Sequence, residues 1–172
     1  LGADDYLWTP DVLSRASKIL ETISPEYRIA YGQVALINYA EEVVEIVGDD
    51  WTVAKKRFNS MMSLPHTALF HHRDLFQMRG TFDRKFRIAG DYEFLLRELG
   101  DHDAFFMRGF VIAGMSIGGI SSSPENSRRI LQEMRLATSM HGRAFPVMPW
   151  LFSALRLEIR QILWVFFGEK RT

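Results

Sequence analysis

The apolar positions of this chain change period several times, and each change marks an element. Val12, Leu13, Ala16, Ile19, Leu20 and Ile23 recur at helical spacing. Thr9, Pro10 and Asp11 ahead of them offer a capping hydroxyl, a proline for the first turn and a carboxylate near the positive helix end, while Ser24-Pro25 stops the run. The pattern predicts a helix over about 10–22. "YRIAYGQVALINYA" and "EEVVEIVG" then alternate and are rich in β-formers, which predicts two strands paired as a hairpin, the second with an acidic outer face.

After a turn at Gly48-Asp49-Asp50, "WTVAKKRFNSMM" predicts a short helix with Val53, Phe58 and Met61 inward, stopped by Ser63-Leu64-Pro65. "HTALFH" fits a short strand, "HRDLFQMRG" a helix of one or two turns closed by Gly80, and "TFDRKFRIAG" an irregular connection. Helical spacing returns from Asp91 through Tyr92, Leu95, Leu96 and Leu99 to Gly100. "AFFMRGFVIAGMS" predicts one or two buried strands and "IGGISSSPENS" a flexible loop. Pro124-Glu125 opens a helix carrying Ile130, Leu131, Met134, Ala137 and Met140, and "PWLFSALRLEIRQILWVFFGEKRT" is helical with a wide apolar surface.

Strands alternate with helices throughout, so the expected class is α/β. With 172 residues, 47% of them apolar, the chain can bury one substantial core. Lysine plus arginine equals aspartate plus glutamate at 21 each, which leaves no general attraction for nucleic acid. The absence of cysteine removes disulfides, thiolate metal sites and thiol nucleophiles, and fits a cytoplasmic protein. No stretch has the form of a P-loop, a G-x-S-x-G elbow or a G-x-G-x-x-G turn, so nucleotide hydrolysis, serine hydrolysis and dinucleotide redox chemistry lose their usual signatures.

Three groups of residues can carry chemistry. Asp4 and Asp5 lie where a strand gives way to a helix, and a carboxylate pair there suits a hard divalent cation; two turn aspartates capping backbone amides are the structural alternative. Asp91 stands at a helix start after Gly90, as an ordinary cap or as a base fixed within hydrogen-bond reach of a hydroxyl. His66, His71 and His72 form the only histidine cluster, without the partners that zinc requires.

Taken in order, these pieces resemble the second half of a family-2 glycosyltransferase of the GT-A fold, the bacterial type that builds exopolysaccharides and O-antigens. The resemblance lies in "LGADDYLWTPDVL", in "LPHTALFHHRDLFQMRGTFDRKFRIAGDYEFLLREL", in "FVIAGMSIGGISS" and in the helical tail. The middle stretch is the most specific, with His66, Phe70, Arg73, Phe76, Gly80-Thr81-Phe82-Asp83 and Asp91-Tyr92 in the family's order. It implies an α/β, Rossmann-like GT-A fold lacking its N-terminal nucleotide-binding strands, with an acceptor-side half over 1–123 and a helical tail over 124–172. On that reading the chain is a fragment, inactive by itself.

The resemblance also implies roles. Asp5 and Asp4 would belong to a D-x-D-like motif that holds Mg²⁺ or Mn²⁺ and the diphosphate of a UDP- or GDP-sugar; Ala3 departs from that motif, so Asp5 is the firmer ligand. Asp91 would be the general base that activates the hydroxyl of a saccharide or lipid-linked acceptor, inverting the anomeric centre, and Gly90 replaces the usual acidic neighbour. His66, Tyr92 and Arg97 would contact substrate, and the loop "IGGISSS" would close over it. The aromatic and basic residues of the last helix suit docking on the domain or on a second subunit, or peripheral contact with the inner face of the membrane. Two other classes compete: a noncatalytic carbohydrate-binding or assembly module derived from such an enzyme, and an interaction domain unrelated to sugars. Asp5 and Asp91 on opposite faces of the fold would favour the last.

Overall fold

A computed structural model describes residues 5–117 and 124–143, together with Phe152 and Leu155. The elements are β1 (Asp5–Leu7), α1 (Val12–Leu20), β2 (Ile29–Ile37), β3 (Val43–Val47), α2 (Trp51–Phe58), a 3₁₀ turn (His66–Ala68), β4 (Leu69–His71), α3 (Asp74–Arg79), α4 (Gly90–Leu99), β5 (Phe105–Ser116) and α5 (Pro124–Met140). The protein is therefore α/β, built on one mixed sheet in the order β1-β5-β2-β3, with β4 paired to the first half of β2. β2 and β5 run parallel, while β1 pairs antiparallel with β5, and β3 and β4 pair antiparallel with β2.

β2 is the centre of the molecule because its two faces feed two cores. Alternation puts Ile29 and Tyr31 on one face, packed with Phe94, Leu95 and Leu99 of α4, and Ala30 and Val34 on the other, packed with Val12 and Ala16 of α1. α5 joins the α4 side through Ala137, which is fully buried in the same cluster. The hairpin expected of "YRIAYGQVALINYA" and "EEVVEIVG" is β2–β3, and Val43, Val44 and Ile46 of its outer strand are exposed.

Several local expectations change. Thr9 does not cap α1: its hydroxyl donates to Asp11 Oδ1, and the helix starts at Val12 and ends at Leu20. In α2 the buried residues are Trp51, Ala54 and Phe58, while Val53 and Met61 are exposed. The Trp51 indole fixes that face by donating to Asp103 Oδ1 at 2.7 Å and by packing edge-on against Phe58. Asp50 caps the same helix by accepting from the Thr52 N–H. "HTALFH" is only half strand, its first half being the 3₁₀ turn. The segments "GGISSS" and Ala144 onward lie outside the described residues apart from Phe152 and Leu155, which are exposed. Among the described residues no helix is long and apolar enough to cross a membrane.

"AFFMRGFVIAGMS" is a single strand, β5, that bulges. From Phe106 to Val111 it advances five residues while β2 advances two, from Tyr31 to Gln33. The bulge brings the Phe110 carbonyl over Gly32, where an added Cβ would sit 2.6 Å from that oxygen and 2.4 Å from Ile112 Cδ1. Gly32→Ala is expected to destabilise the protein by roughly 1–3 kcal/mol through overpacking, read as a lower denaturant midpoint. An unchanged midpoint would contradict so close a crossing of the two strands.

Candidate active site

The first turn of a helix has N–H groups with no carbonyl to bond. At α4 the N-cap is Ala89, which has no side chain to help. A carboxylate from another element instead holds the N-cap residue and the two residues that lead into it. Both oxygens of Glu133 on α5 accept from the Arg87 N–H at 3.1 Å, and Oε2 also accepts from Ile88 at 2.8 Å and Ala89 at 2.9 Å. Arg129 Nε donates to Oε1 at 2.8 Å. Burial alone would raise the Glu133 carboxyl, but the Ala89, Ile88 and Arg87 amides and the Arg129 guanidinium outweigh it and hold the group at about 2.

Asp91 follows two residues later. It is half-buried, and its Oδ1 accepts from the Tyr92 N–H at 2.7 Å. Its charge reaches His71, whose imidazole is held below its ordinary value mainly by burial, with Asp91 opposing. The His71 ring packs 5.6 Å from Phe94 and 5.9 Å from Phe76. Phe94, one turn along α4 from Asp91, also lies 5.0 Å from Phe82, whose ring is 50% exposed. A carboxylate, a predominantly neutral imidazole and an open aromatic face thus occupy one corner of the α4 layer. That set can take a proton from a hydroxyl and stack an apolar sugar face.

The residues expected to touch substrate have other work in this structure. Tyr92 is fully buried, and its hydroxyl donates to the Phe58 carbonyl at 2.8 Å. Arg97 commits four donors internally: Nε and Nη2 to Glu93, and Nη1 to the carbonyls of Arg79 and Thr81, each at 2.8 Å. It therefore positions the turn through Gly80, which has a φ of 79°, and hence Phe82. His66 is exposed at the head of the 3₁₀ turn, whose Ala68 packs on the α1 side.

Asp5 is on β1 opposite Met115, sharing a face with Leu7, and both Leu7 and Met115 pack toward α1. Asp91 opens α4, on the other face. Across β5, Met115 is level with Leu36 near the end of β2, whereas His71 is level with Ile29 at its start. Seven residues of strand separate those levels, about 23 Å. Asp4 lies outside the described residues, and among the described ones no group of three or more His, Asp or Glu is placed to hold a metal ion. Mg²⁺ commonly uses one or two carboxylates with phosphate oxygens, so an ion at Asp5 would need most of its ligands from elsewhere.

Two of these residues were hidden in the sequence for different reasons. His71 and His72 read alike until the β4 register puts His71 opposite Ile29, on the α4 face. Glu133 did carry a signal, a carboxylate between Ile130 and Ala137 on the apolar stripe of α5. No protein-family model matches the chain, and no curated protein matches it at a significant level.

Because Glu133 has a folded-state value of about 2 against 4.5 ordinarily, it contributes stability that is complete above about pH 4.5 and disappears as pH falls toward 2. Glu133→Gln is expected to lose about 3 kcal/mol at pH 7 by that linkage. The stability gap between wild type and variant should close across that acid window in denaturant titrations. A gap independent of pH would show that the charge on Glu133 does not support the α4 start.

Proposed function

We propose that the chain carries the acceptor side of an inverting GT-A glycosyltransferase, with Asp91 as the general base. The observation that carries this reading is the corner just described, where Asp91 sits at the start of α4 beside His71 and the exposed Phe82 ring. The motif order of family-2 enzymes supports it, since the residues of "HHRDLFQMRGTFDRKFRIAGDYEF" converge there through Phe76, Phe82 and Phe94.

In the reaction Asp91 accepts the proton of the acceptor hydroxyl as its oxygen bonds to the anomeric carbon of a UDP- or GDP-sugar. The bond from that carbon to the diphosphate breaks on the opposite side, inverting the centre. The leaving nucleoside diphosphate requires no proton, so one base is enough. Phe82 offers its ring to the acceptor, a saccharide free or lipid-linked, and Arg97 holds the turn that presents it. Asp5, with Asp4, would hold Mg²⁺ or Mn²⁺, which when bound neutralises charge on the diphosphate. The setting is bacterial surface polysaccharide synthesis at the cytoplasmic face of the membrane.

A second reading has its own observation. Asp5 and Asp91 on opposite faces of the sheet favour an interaction domain unrelated to sugars. Sugar-nucleotide consumption by the protein as encoded, with Mg²⁺ or Mn²⁺ and an acceptor panel, separates the two. On the first reading Asp91→Asn lowers turnover by roughly 10²–10⁴-fold while the fold and acceptor binding persist. Neither turnover nor acceptor binding by the wild type would establish the second, whereas acceptor binding without turnover, with Asp5→Ala silent, would point to a noncatalytic carbohydrate-binding module.

A further inference from the structure

Sheet edges are commonly guarded by lysine, by proline or by a covering element. β3 has none of these: its sequence is "VVEIV", and among the described residues it is hydrogen-bonded to β2 alone. Val43, Val44 and Ile46 are each about half exposed. The register sets their directions. β3 takes two residues, from Val43 to Glu45, where β2 takes one, from Ile37 to Leu36, so Val44 bulges and regular strand runs from Glu45 to Val47. Ile46 lies on the face of Ala35, and Glu45 on the other face with Leu36. Beside the strand, Ile46 walls a cavity of about 360 Å³ with Met61, Met62, Leu64 and Pro65 from the segment after α2. The side chains of Glu41 and Glu45 are exposed, and no hydrogen bond or ion pair engages either among the described residues.

We propose that the β3 edge and this cavity bind a short extended segment of a partner protein in which apolar and basic residues alternate. Added as a strand, the segment pairs with the free backbone groups of the edge, and its period of two matches the two faces of the site. An apolar side chain beside Ile46 enters the cavity, where the unbranched Met61 and Met62 adapt to its shape. The next side chain of the segment falls on the opposite face beside Glu45, where a lysine or arginine meets an acid that has no partner of its own. A second copy would instead bring another acidic edge, with its own Glu41, Glu42 and Glu45, against the first, so the charge favours a basic partner. The site stands on the edge, the cavity and the two free acids, and takes nothing from Asp91 or from the transferase reading.

A labelled peptide alternating valine and lysine, titrated into the protein as encoded, should bind saturably and shift the backbone amides of 45–47 and 61–64. Ile46→Lys should weaken it by about tenfold or more, because an apolar contact is lost and a like charge is added. Glu45→Lys should turn the preference from that peptide to one alternating valine and glutamate. The valine–lysine peptide with proline at its centre keeps the charge but cannot complete the ladder, and should bind poorly. Leu13→Lys, at an exposed position of α1, should change nothing. No saturable binding, equal binding of the proline peptide, or unchanged affinity in Ile46→Lys at wild-type melting temperature would overturn the proposal. A concentration-dependent dimer that Ile46→Lys disperses would overturn it in favour of a second copy, and a carbodiimide cross-link from Glu45 to Lys170 within the free monomer in favour of this chain's own final segment.

Discussion

Three consecutive N–H groups, those of Arg87, Ile88 and Ala89, have no helical carbonyl to bond, and one buried carboxylate from another element satisfies all three. Most helix starts are capped by a residue of their own chain neighbourhood. Here Glu133, more than forty residues further on, holds the N-cap residue and the two before it, so α5 fixes how the chain enters α4. Ala137, one turn beyond Glu133, buries itself in the α4 core and makes the docking apolar as well as ionic. The position of Asp91 is inherited from that contact.

The same helix concentrates the protein's buried charge. Glu93 pairs with Arg97 and with His141 at 2.9 Å, and Glu98 with Arg28 at 2.9 Å and Arg79 at 2.8 Å. For both acids burial works to raise the carboxyl, and the cationic partners outweigh it and hold the group low. Breaking such a pair is costly because one ion is left buried alone, which is a reason for every segment around α4 to arrive together. Arg28 ties in the start of β2, Arg79 the end of α3, and His141 the end of α5. α4 is thus fixed from three directions, and its exposed corner with Asp91, His71 and Phe82 is held by parts that are not themselves exposed.

Periodicity made the element order legible, since apolar repeats record which face is buried. It placed Phe58 correctly but misplaced Val53 and Met61 because Trp51 is anchored by Asp103, fifty-two residues away, and no local pattern encodes that bond. It also missed the β5 bulge, which exists to pass over Gly32 and is set by pairing between distant strands. At the site, Asp91 was legible as a helix-start carboxylate, whereas Tyr92 and Arg97 look like ligand-binding residues in a string and are packing and positioning residues in space. Hydrogen bonds to backbone carbonyls leave no mark in the sequence.

The opposite-face placement of Asp5 and Asp91 bears on chemistry as well as on resemblance. Transfer from a sugar nucleotide needs the charge of the departing diphosphate to be met close to the carbon that the base-activated hydroxyl attacks. An ion at Asp5 would meet it from the α1 side, at the far end of β2 from the level of His71. On the proposed transferase reading, a base at Asp91 and an ion at Asp5 would therefore act from opposite faces of the sheet, which is why that placement favours the second reading.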